Sequence, residues 1–357
     1  MFSGIWSGSA KKGQAGYDGI RLPANREFER ELAYLDAMDI QPPDAAGLER
    51  VRKALSSTNN FLAAKAARIA IDHNLVSMLA EIRAAFDRFF QDSIQTDPQC
   101  SAKIALAKAL VKLGCKETSV YLRGLRHFQT EEVWGGQSDT AGELRSTCVQ
   151  GLILSGELGN AELLSILLDP LLDHDKSVRI AAARAMGQLG GVTAALLLKL
   201  RIMVSKEDPE ILGACFLSLL SMGHSDKLGS IALVADFLED GEGAAAEAAF
   251  ALAETHEPAA LQALIRRRRK GPDARLASTL DHAIVLTRLQ EGMDFLLELM
   301  ESDPRQAPSV LEAISRLHNS PRVQARVSAS VSKSRSERAR SAFRKFFPDS
   351  EYEPSGF

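Results

Sequence analysis

Residues 173–191 read "DHDKSVRIAAARAMGQLGG", and this stretch decides the fold of the chain. Asp175 precedes Ser177 and Val178, where an acidic side chain can accept hydrogen bonds from the first free amides of a helix. Apolar residues then recur at helical spacing up to Gly190, and glycine readily takes the left-handed conformation that ends a helix. The stretch therefore predicts one capped helix with small alanine side chains on its packing face.

The same pattern occurs four times along the chain. The four segments end at Gly114, Gly156, Gly190 and Gly223, which lie 42, 34 and 33 residues apart. A large residue stands four positions before each glycine and a small residue five positions before it, which allows close helix packing. Partner helices are predicted between the segments, at 117–128, 161–172, 192–204 and 228–239. A helical hairpin repeated at a period of about 34 residues is typical of a solenoid.

Helical periodicity extends over nearly the whole chain, and no stretch alternates with period two for long enough to predict a strand. We therefore expect an all-α fold, an α-solenoid of about eight stacked hairpins. Further helices are predicted at 45–56, 60–73, 75–90, 243–254, 273–289 and 305–317. The expected organisation is a flexible N-terminal arm (1–24), the solenoid (25–320), a basic C-terminal helix (321–347) and a disordered tail (348–357).

Composition excludes several classes of protein. The 357 residues are 45% hydrophobic but only 6% aromatic, and the net charge of −3 gives no overall attraction to nucleic acid or acidic lipid. No apolar run reaches the length of a membrane span, and no signal peptide is evident, so we expect a cytoplasmic protein without membrane insertion. The four cysteines form no CxxC pair, and the seven histidines form no HExxH motif. We expect core thiols and neither a metal nor a cofactor.

The opening stretch resembles a HEAT repeat, in particular the short form found in bacterial and phycobilisome-lyase-like proteins. The residues that carry the resemblance are Asp173, Asp175, Val178, Arg179, Ala182, Ala183, Ala185, Leu189 and Gly190. It implies a HEAT/armadillo-like superhelix over roughly residues 40–320. HEAT-like arrays mostly bind other macromolecules on a concave surface lined by the second helices of the hairpins, and a minority of them do chemistry.

A cation recurs eleven positions before the first three terminal glycines, as Lys103, Arg145 and Arg179. With Asp173 and Asp175, such a cation could form an acid–base site. We favour a ladder of ion pairs and helix caps between repeats, because the pattern recurs with the period of the fold and catalytic groups rarely do.

One insertion interrupts the repeats. The spacing from Gly114 to Gly156 is about eight residues longer than the next two spacings, and the surplus falls between His127 and Thr140. This places the candidate partner-binding residues on a loop between two helices: Glu131, Glu132, Trp134 and Gln137. We favour a plug, in which Trp134 folds back over a neighbouring hairpin, over a loop that offers Trp134 to a partner. Thr140 with Glu143 forms a capping-box pattern for the next helix.

Two basic regions are candidate contacts for phosphates or for an acidic protein. The first is the run Arg266, Arg267, Arg268, Arg269 and Lys270, and the second includes Arg338, Arg340, Arg344 and Lys345. The alternative is that these cations are solvated side chains at helix ends. We expect Phe343, Phe346 and Phe347 to seal the last hairpin.

Three functions are compatible with this sequence. The leading hypothesis is a non-enzymatic scaffold that binds a protein or peptide on its concave face and on the Trp134 loop, with Arg145 and Arg179 as further contacts. The second is a nucleic-acid-binding protein that uses the 266–270 and 322–345 basic regions. The third, which rests only on the resemblance, is a lyase-like or chromophore-handling protein.

Overall fold

The computed structural model describes residues 23–38, 42–204, 207–223, 226–317, 320–334 and 336–348. The predictions for residues 1–22, for the tail from residue 349, and for His224 and His318 lie outside these ranges. The described chain contains twenty α-helices and one β-hairpin. The helices are α1 Pro23–Ala37, α2 Ala45–Ser56, α3 Asn60–Asp72, α4 Leu79–Arg88, α5 Ser93–Thr96, α6 Ser101–Lys112, α7 Thr118–Leu125, α8 Gly142–Ser155, α9 Asn160–Leu171, α10 Lys176–Leu189, α11 Gly191–Val204, α12 Pro209–Ser221, α13 Lys227–Asp236, α14 Glu242–Ala253, α15 Pro258–Arg269, α16 Ala274–Leu286, α17 Gln290–Ser302, α18 Ala307–Leu317, α19 Pro321–Lys333 and α20 Glu337–Phe346.

The helices form two layers. An inner layer consists of α3, α6, α8, α10, α12, α14, α16, α18 and α20, each packed on the next. The outer layer holds α7, α9, α11, α13, α15, α17 and α19, and here α9 and α11 make few contacts with each other. Because helices lie closer together on the inside of a bend, this middle section curves with the inner layer on its concave side. The predicted α-solenoid is confirmed, with helix pairs from α2–α3 to α19–α20.

The contacts show how the helices pair within the hairpins. The sequence placed the partner helices between the glycine-ended segments, and α8, α10 and α12 each pack more extensively on the helix before them than on the helix after them. The glycine-ended helix is thus the second helix of its hairpin. It is these second helices that line the concave side.

Several helix ends follow the predicted capping. Asp175 accepts hydrogen bonds from Ser177 N and Val178 N at the start of α10, and Asp208 caps α12 in the same way. Gly156 ends α8 with φ +71°. Gly223 does not repeat this role, because α12 ends at Met222 in an extended conformation.

The start of α8 also differs from the prediction. Its N-cap is Ala141, which offers no side chain, so the capping box of Thr140 with Glu143 is wrong. The hydroxyl of Thr140 donates to Gln129 O instead, at 3.2 Å. The Thr140 side chain therefore forms its hydrogen bond within the insertion and does not cap α8.

The core follows from the small-residue pattern. A Cβ built on Gly187 of α10 would lie 2.8 Å from the Cβ of Ser218 on α12, so neighbouring inner helices approach at backbone distance. Cys100, Cys115, Cys148 and Cys215 are all buried, as predicted for core thiols. At the C-terminal end Phe343 and Phe347 are buried and stack at 5.3 Å. The prediction that phenylalanines seal the last hairpin is confirmed.

Candidate functional site

The insertion between α7 and α8 folds into a two-stranded antiparallel hairpin, β1 (Thr130–Val133) and β2 (Gly136–Asp139). Val133 pairs with Gly136, which leaves Trp134 and Gly135 as a two-residue turn. Gly135 has φ +99°, a conformation that L side chains rarely adopt. The side chain of Trp134 is fully exposed at this tip. The favoured interpretation of Trp134 as a buried plug is therefore wrong.

The hairpin is fixed to the start of α6. Glu131 accepts two hydrogen bonds from the backbone amide of Gln99, at 2.8 and 3.0 Å, and Gln129 Nε2 donates to Asp97 O at 2.9 Å. Glu132, the next residue along β1, is exposed. The two glutamates thus occupy different environments, as alternation along a strand requires. Glu131 anchors the hairpin, while Glu132 and Gln137 remain exposed beside Trp134.

Beneath the hairpin lies a buried cluster around Arg145. Its guanidinium pairs with Asp139 at 2.6 Å and binds both carboxylate oxygens of Asp173 at 2.8 Å. It also donates to His127 O at 3.1 Å, and the ring of Phe128 covers it at 4.2 Å. Only 1% of the Arg145 side chain is exposed. Arg145 was predicted to contact a partner, but it is enclosed and instead holds the hairpin to the repeats.

Hydrogen bonding keeps this cluster charged despite its burial. Burial alone would raise the pKa of Asp139, but the amides of Gln129 and Ala141 and the guanidinium of Arg145 outweigh it and bring that pKa below its ordinary value. For Arg145, burial opposes the charge, yet its hydrogen bonds to Asp173 and Asp139 raise the pKa. The cluster is therefore an ion network at neutral pH.

An aromatic pair lies on the outside of the same cluster. The exposed rings of Phe128 and His174 stack with centroids 5.8 Å apart. His174 Nε2 lies 3.1 Å from Asp139 Oδ2. The sequence gave no sign of this stack, because Phe128 and His174 are separated by two helices. Phe128 and His174 thus form an exposed aromatic pair over the Arg145 cluster, and Trp134 is a separate exposed ring at the tip of the hairpin.

The cations of the repeat position form the predicted ladder. Lys103 pairs with Asp97 at 3.0 Å, and both side chains are completely buried. Arg179 donates to the backbone oxygens of Asp173 and His174, at 2.5 and 2.9 Å, and lies 3.4 Å from Glu207. Arg179 is mostly buried, with 16% of its side chain exposed, so its role in partner binding stays a prediction.

The concave side carries a groove that the sequence did not reveal. A cavity of about 590 Å³ lies between α8 and α10, and one of about 610 Å³ crosses α10, α12 and α14. Arg184 and Gln188 line both cavities, so the two adjoin along α10 and together are called the inner groove.

The lining of this inner groove repeats with the fold. It includes the residues six and two positions before three terminal glycines: Gln150 and Leu154, Arg184 and Gln188, Leu217 and Ser221. All six residues are exposed. This period is the signal by which the groove could have been found in the sequence.

The first basic run is divided between the interior and the surface. Arg268 is buried and pairs with Asp281 at 2.8 Å, while Arg267 donates to Leu238 O at 2.7 Å. Both side chains bind groups within the fold. The prediction that Arg267 and Arg268 contact phosphates is therefore wrong. Arg266, Arg269 and Lys270 are exposed, although Lys270 pairs with Glu239 at 2.7 Å.

The second basic region lies on α20. Arg338 and Lys345 are exposed, and Arg344 pairs with Glu337 at 2.5 Å. Arg340 is half-buried and donates to Ser334 O at 3.3 Å. Arg340 and Arg344, which bind local groups, therefore lie between the exposed cations Arg338 and Lys345.

The described residues contain no group of His, Cys, Asp and Glu side chains arranged to hold a metal ion. Within the same residues, every helix is too short or too polar to span a bilayer. Burial raises the pKa of the Cys100 thiol to about 11, so this thiol stays protonated at neutral pH.

Comparison with known proteins gives a structural likeness only. No protein-family model and no curated protein sequence matches the chain. A structure of human deoxyhypusine hydroxylase in complex with glycerol matches at 16% identity with a TM-score of 0.29. The match covers 75% of this chain and 92% of that one.

Proposed function

We propose that this chain is a non-enzymatic HEAT-like scaffold that binds a protein or peptide along its inner groove, with the Trp134 hairpin as a second contact. The observation that carries the proposal is the pair of adjoining cavities that together cross α8, α10, α12 and α14. Concave surfaces of solenoids are extended binding surfaces, because each repeat adds one more strip of side chains. The cytoplasmic location expected from the sequence is part of the same proposal.

The lining of the groove favours one kind of partner. Leu154 and Leu217 offer apolar contacts on either side of Arg184, an exposed cation where the two cavities meet. Four helices at the usual spacing span roughly 30 Å, which an extended segment of about nine residues would cover. The partner is therefore a segment with an acidic side chain between apolar ones.

The hairpin supports a contact outside the groove. Trp134, Phe128 and His174 are exposed on a support that Arg145 and Glu131 hold to the neighbouring helices. Tryptophan is among the residues that most often dominate binding energy, because a large rigid surface is buried for little loss of entropy. A rigid support makes such a side chain more effective, since less ordering is needed on binding.

The test begins with affinity purification of the full chain from the cells that produce it. A partner identified in this way is then purified, and its binding is measured by titration calorimetry. We expect Arg184→Glu and Trp134→Ala each to weaken binding by at least about tenfold, the loss typical of a contact worth more than 1 kcal/mol. Arg30→Glu and Phe61→Ala are matched controls, because both side chains are exposed and lie on α1 and α3, outside the groove and the hairpin.

Equal binding by the two test variants and the two controls would contradict the proposed surface. Failure to recover any stable partner would contradict the scaffold function itself. The circular dichroism spectrum of each variant shows whether a loss of binding has another cause, namely misfolding.

A further inference from the structure

Helix α11 carries apolar side chains around its whole circumference. On one side Ala194, Ala195, Leu198 and Ile202 are buried against the core. On the opposite side five large apolar residues are between 59% and 74% exposed: Val192, Leu196, Leu200, Met203 and Val204. At 100° per residue these five fall on one face, directed away from the inner layer. A helix that is apolar on every face is normally enclosed.

Nothing in the described chain covers this outer face of α11. The neighbouring helix α9 makes few contacts with α11 and exposes Leu168 and Leu172, while α13 exposes Leu228 at its start. The five residues of α11 expose on the order of 600 Å² of apolar surface, as large as the biggest patch of a typical monomer. With the three flanking leucines the area is on the order of 1000 Å², and a stable dimer buries about 800 Å² per partner.

The charges of α11 do not select an oppositely charged partner. The helix has only two charged side chains, and both pair within the chain. Lys199 lies 2.5 Å from Asp226, and Arg201 pairs with Glu207. Two copies of this face can therefore approach without bringing unpaired like charges together.

We propose that the outer face of α11 is the interface at which a second copy of this chain docks. A twofold axis would pass near the middle of the helix, between Leu196 and Leu200, so that α11 packs on its symmetry mate in antiparallel fashion. Such an interface is isologous, because each stripe is the complement of the other. It lies on the outer layer and leaves the inner groove of both copies open. This inference does not depend on the proposed function.

Sedimentation velocity of the full chain, from about 1 to about 100 µM, tests for a concentration-dependent dimer, since many interfaces of this area dissociate in that range. The double variant Leu196→Glu/Leu200→Glu places two carboxylates in the apolar contact, and we expect it to raise the dimer Kd at least 100-fold. Phe61→Glu is the matched control, because Phe61 is similarly exposed but lies on α3. Circular dichroism confirms that each variant is folded.

The double variant Leu196→Cys/Leu200→Cys tests the symmetry of the contact, because a twofold axis between these positions brings position 196 of one copy against position 200 of the other. The four native cysteines are buried, so mild oxidation should act on the introduced thiols alone and give a disulfide-linked dimer. Phe61→Cys should stay monomeric under the same oxidation. A wild-type chain that is monomeric at every concentration overturns the proposal, even if another protein binds the stripe. A dimer that survives the double glutamate variant overturns it as well.

Discussion

Replacing Arg145 by methionine tests whether a buried cation, and not the hydrophobic core alone, holds the hairpin to the repeats. Methionine keeps much of the side-chain length but leaves the carboxylates of Asp139 and Asp173 without their cation. Those two side chains are only 9% and 6% exposed, so water cannot replace the lost hydrogen bonds fully. Removing one partner of a buried ion pair typically lowers stability by about 3–5 kcal/mol, and we expect a loss of that size.

Urea unfolding followed by circular dichroism measures this loss as a change in the free energy of unfolding. Arg184→Met is the matched control, because Arg184 is an exposed arginine on the next inner helix, and a surface change of this kind alters stability by about 0.5 kcal/mol at most. The double variant Arg145→Met/Asp173→Asn should recover part of the loss, since one of the unpaired charges is then absent. A loss below about 1 kcal/mol for Arg145→Met would refute the reasoning that the cluster is a buried ion network.

Three further outcomes follow from individual contacts. Gly151→Val should lower the free energy of unfolding by about 1–3 kcal/mol in urea titrations, because a Cβ at Gly151 would lie 2.3 Å from the buried ring of Tyr121. Gly223→Ala is the control and should be neutral, because no atom lies near the position of its Cβ. Burial and the nearby Glu210 raise the pKa of Glu247, so Glu247→Gln should raise Tm at pH 7. This gain in Tm should vanish below pH 4.5, where the carboxyl of Glu247 is protonated in both the folded and the unfolded state. Burial raises the pKa of Cys215 to about 12, so a thiol reagent at pH 7 should label it only after denaturant is added; rapid labelling of the folded chain would contradict its burial.

Most helices could be predicted because their ends carry local signals. The predicted helix at 45–56 is found with those limits, and the predicted cap at Asp175 is present. Such signals act over three or four residues, so they can be read without knowing the tertiary structure. How extensively each helix packs on its two neighbours could not be read in the same way, because it depends on contacts between residues that are far apart in the sequence.

The β-hairpin escaped prediction because it has no buried face of its own. Its strands have four residues each and are largely exposed, so no apolar residue marks every second position. The only local sign was the glycine pair Gly135-Gly136 between two short polar segments, which suits a tight turn. Without an apolar alternation, that sign did not distinguish a hairpin from an irregular loop.

The sequence likewise did not show which cations are buried and which are exposed. Arg145 and Arg184 both lie on inner helices, yet one is buried and the other exposed. The difference arises from their places in the repeat, because Arg145 stands eleven positions before its terminal glycine and Arg184 only six, so the two side chains lie on different faces of their helices. An aspartate stands six positions before Lys103, Arg145 and Arg179 alike, and the sequence does not state which acid will pair with which base.

The ion ladder also determines how the solenoid can come apart. Arg145 pairs with Asp173 in the connection that precedes α10, and Arg179 pairs with Glu207 in the connection that precedes α12. A repeat that opened alone would strand a charge in the apolar surroundings of its neighbour, at a cost of several kcal/mol. The section from α8 to α12 therefore behaves as one cooperative unit, whose amide hydrogens should exchange with solvent together. A linear array of repeats can otherwise unfold one repeat at a time. The hairpin and most of the groove lie on or beside this cooperative section.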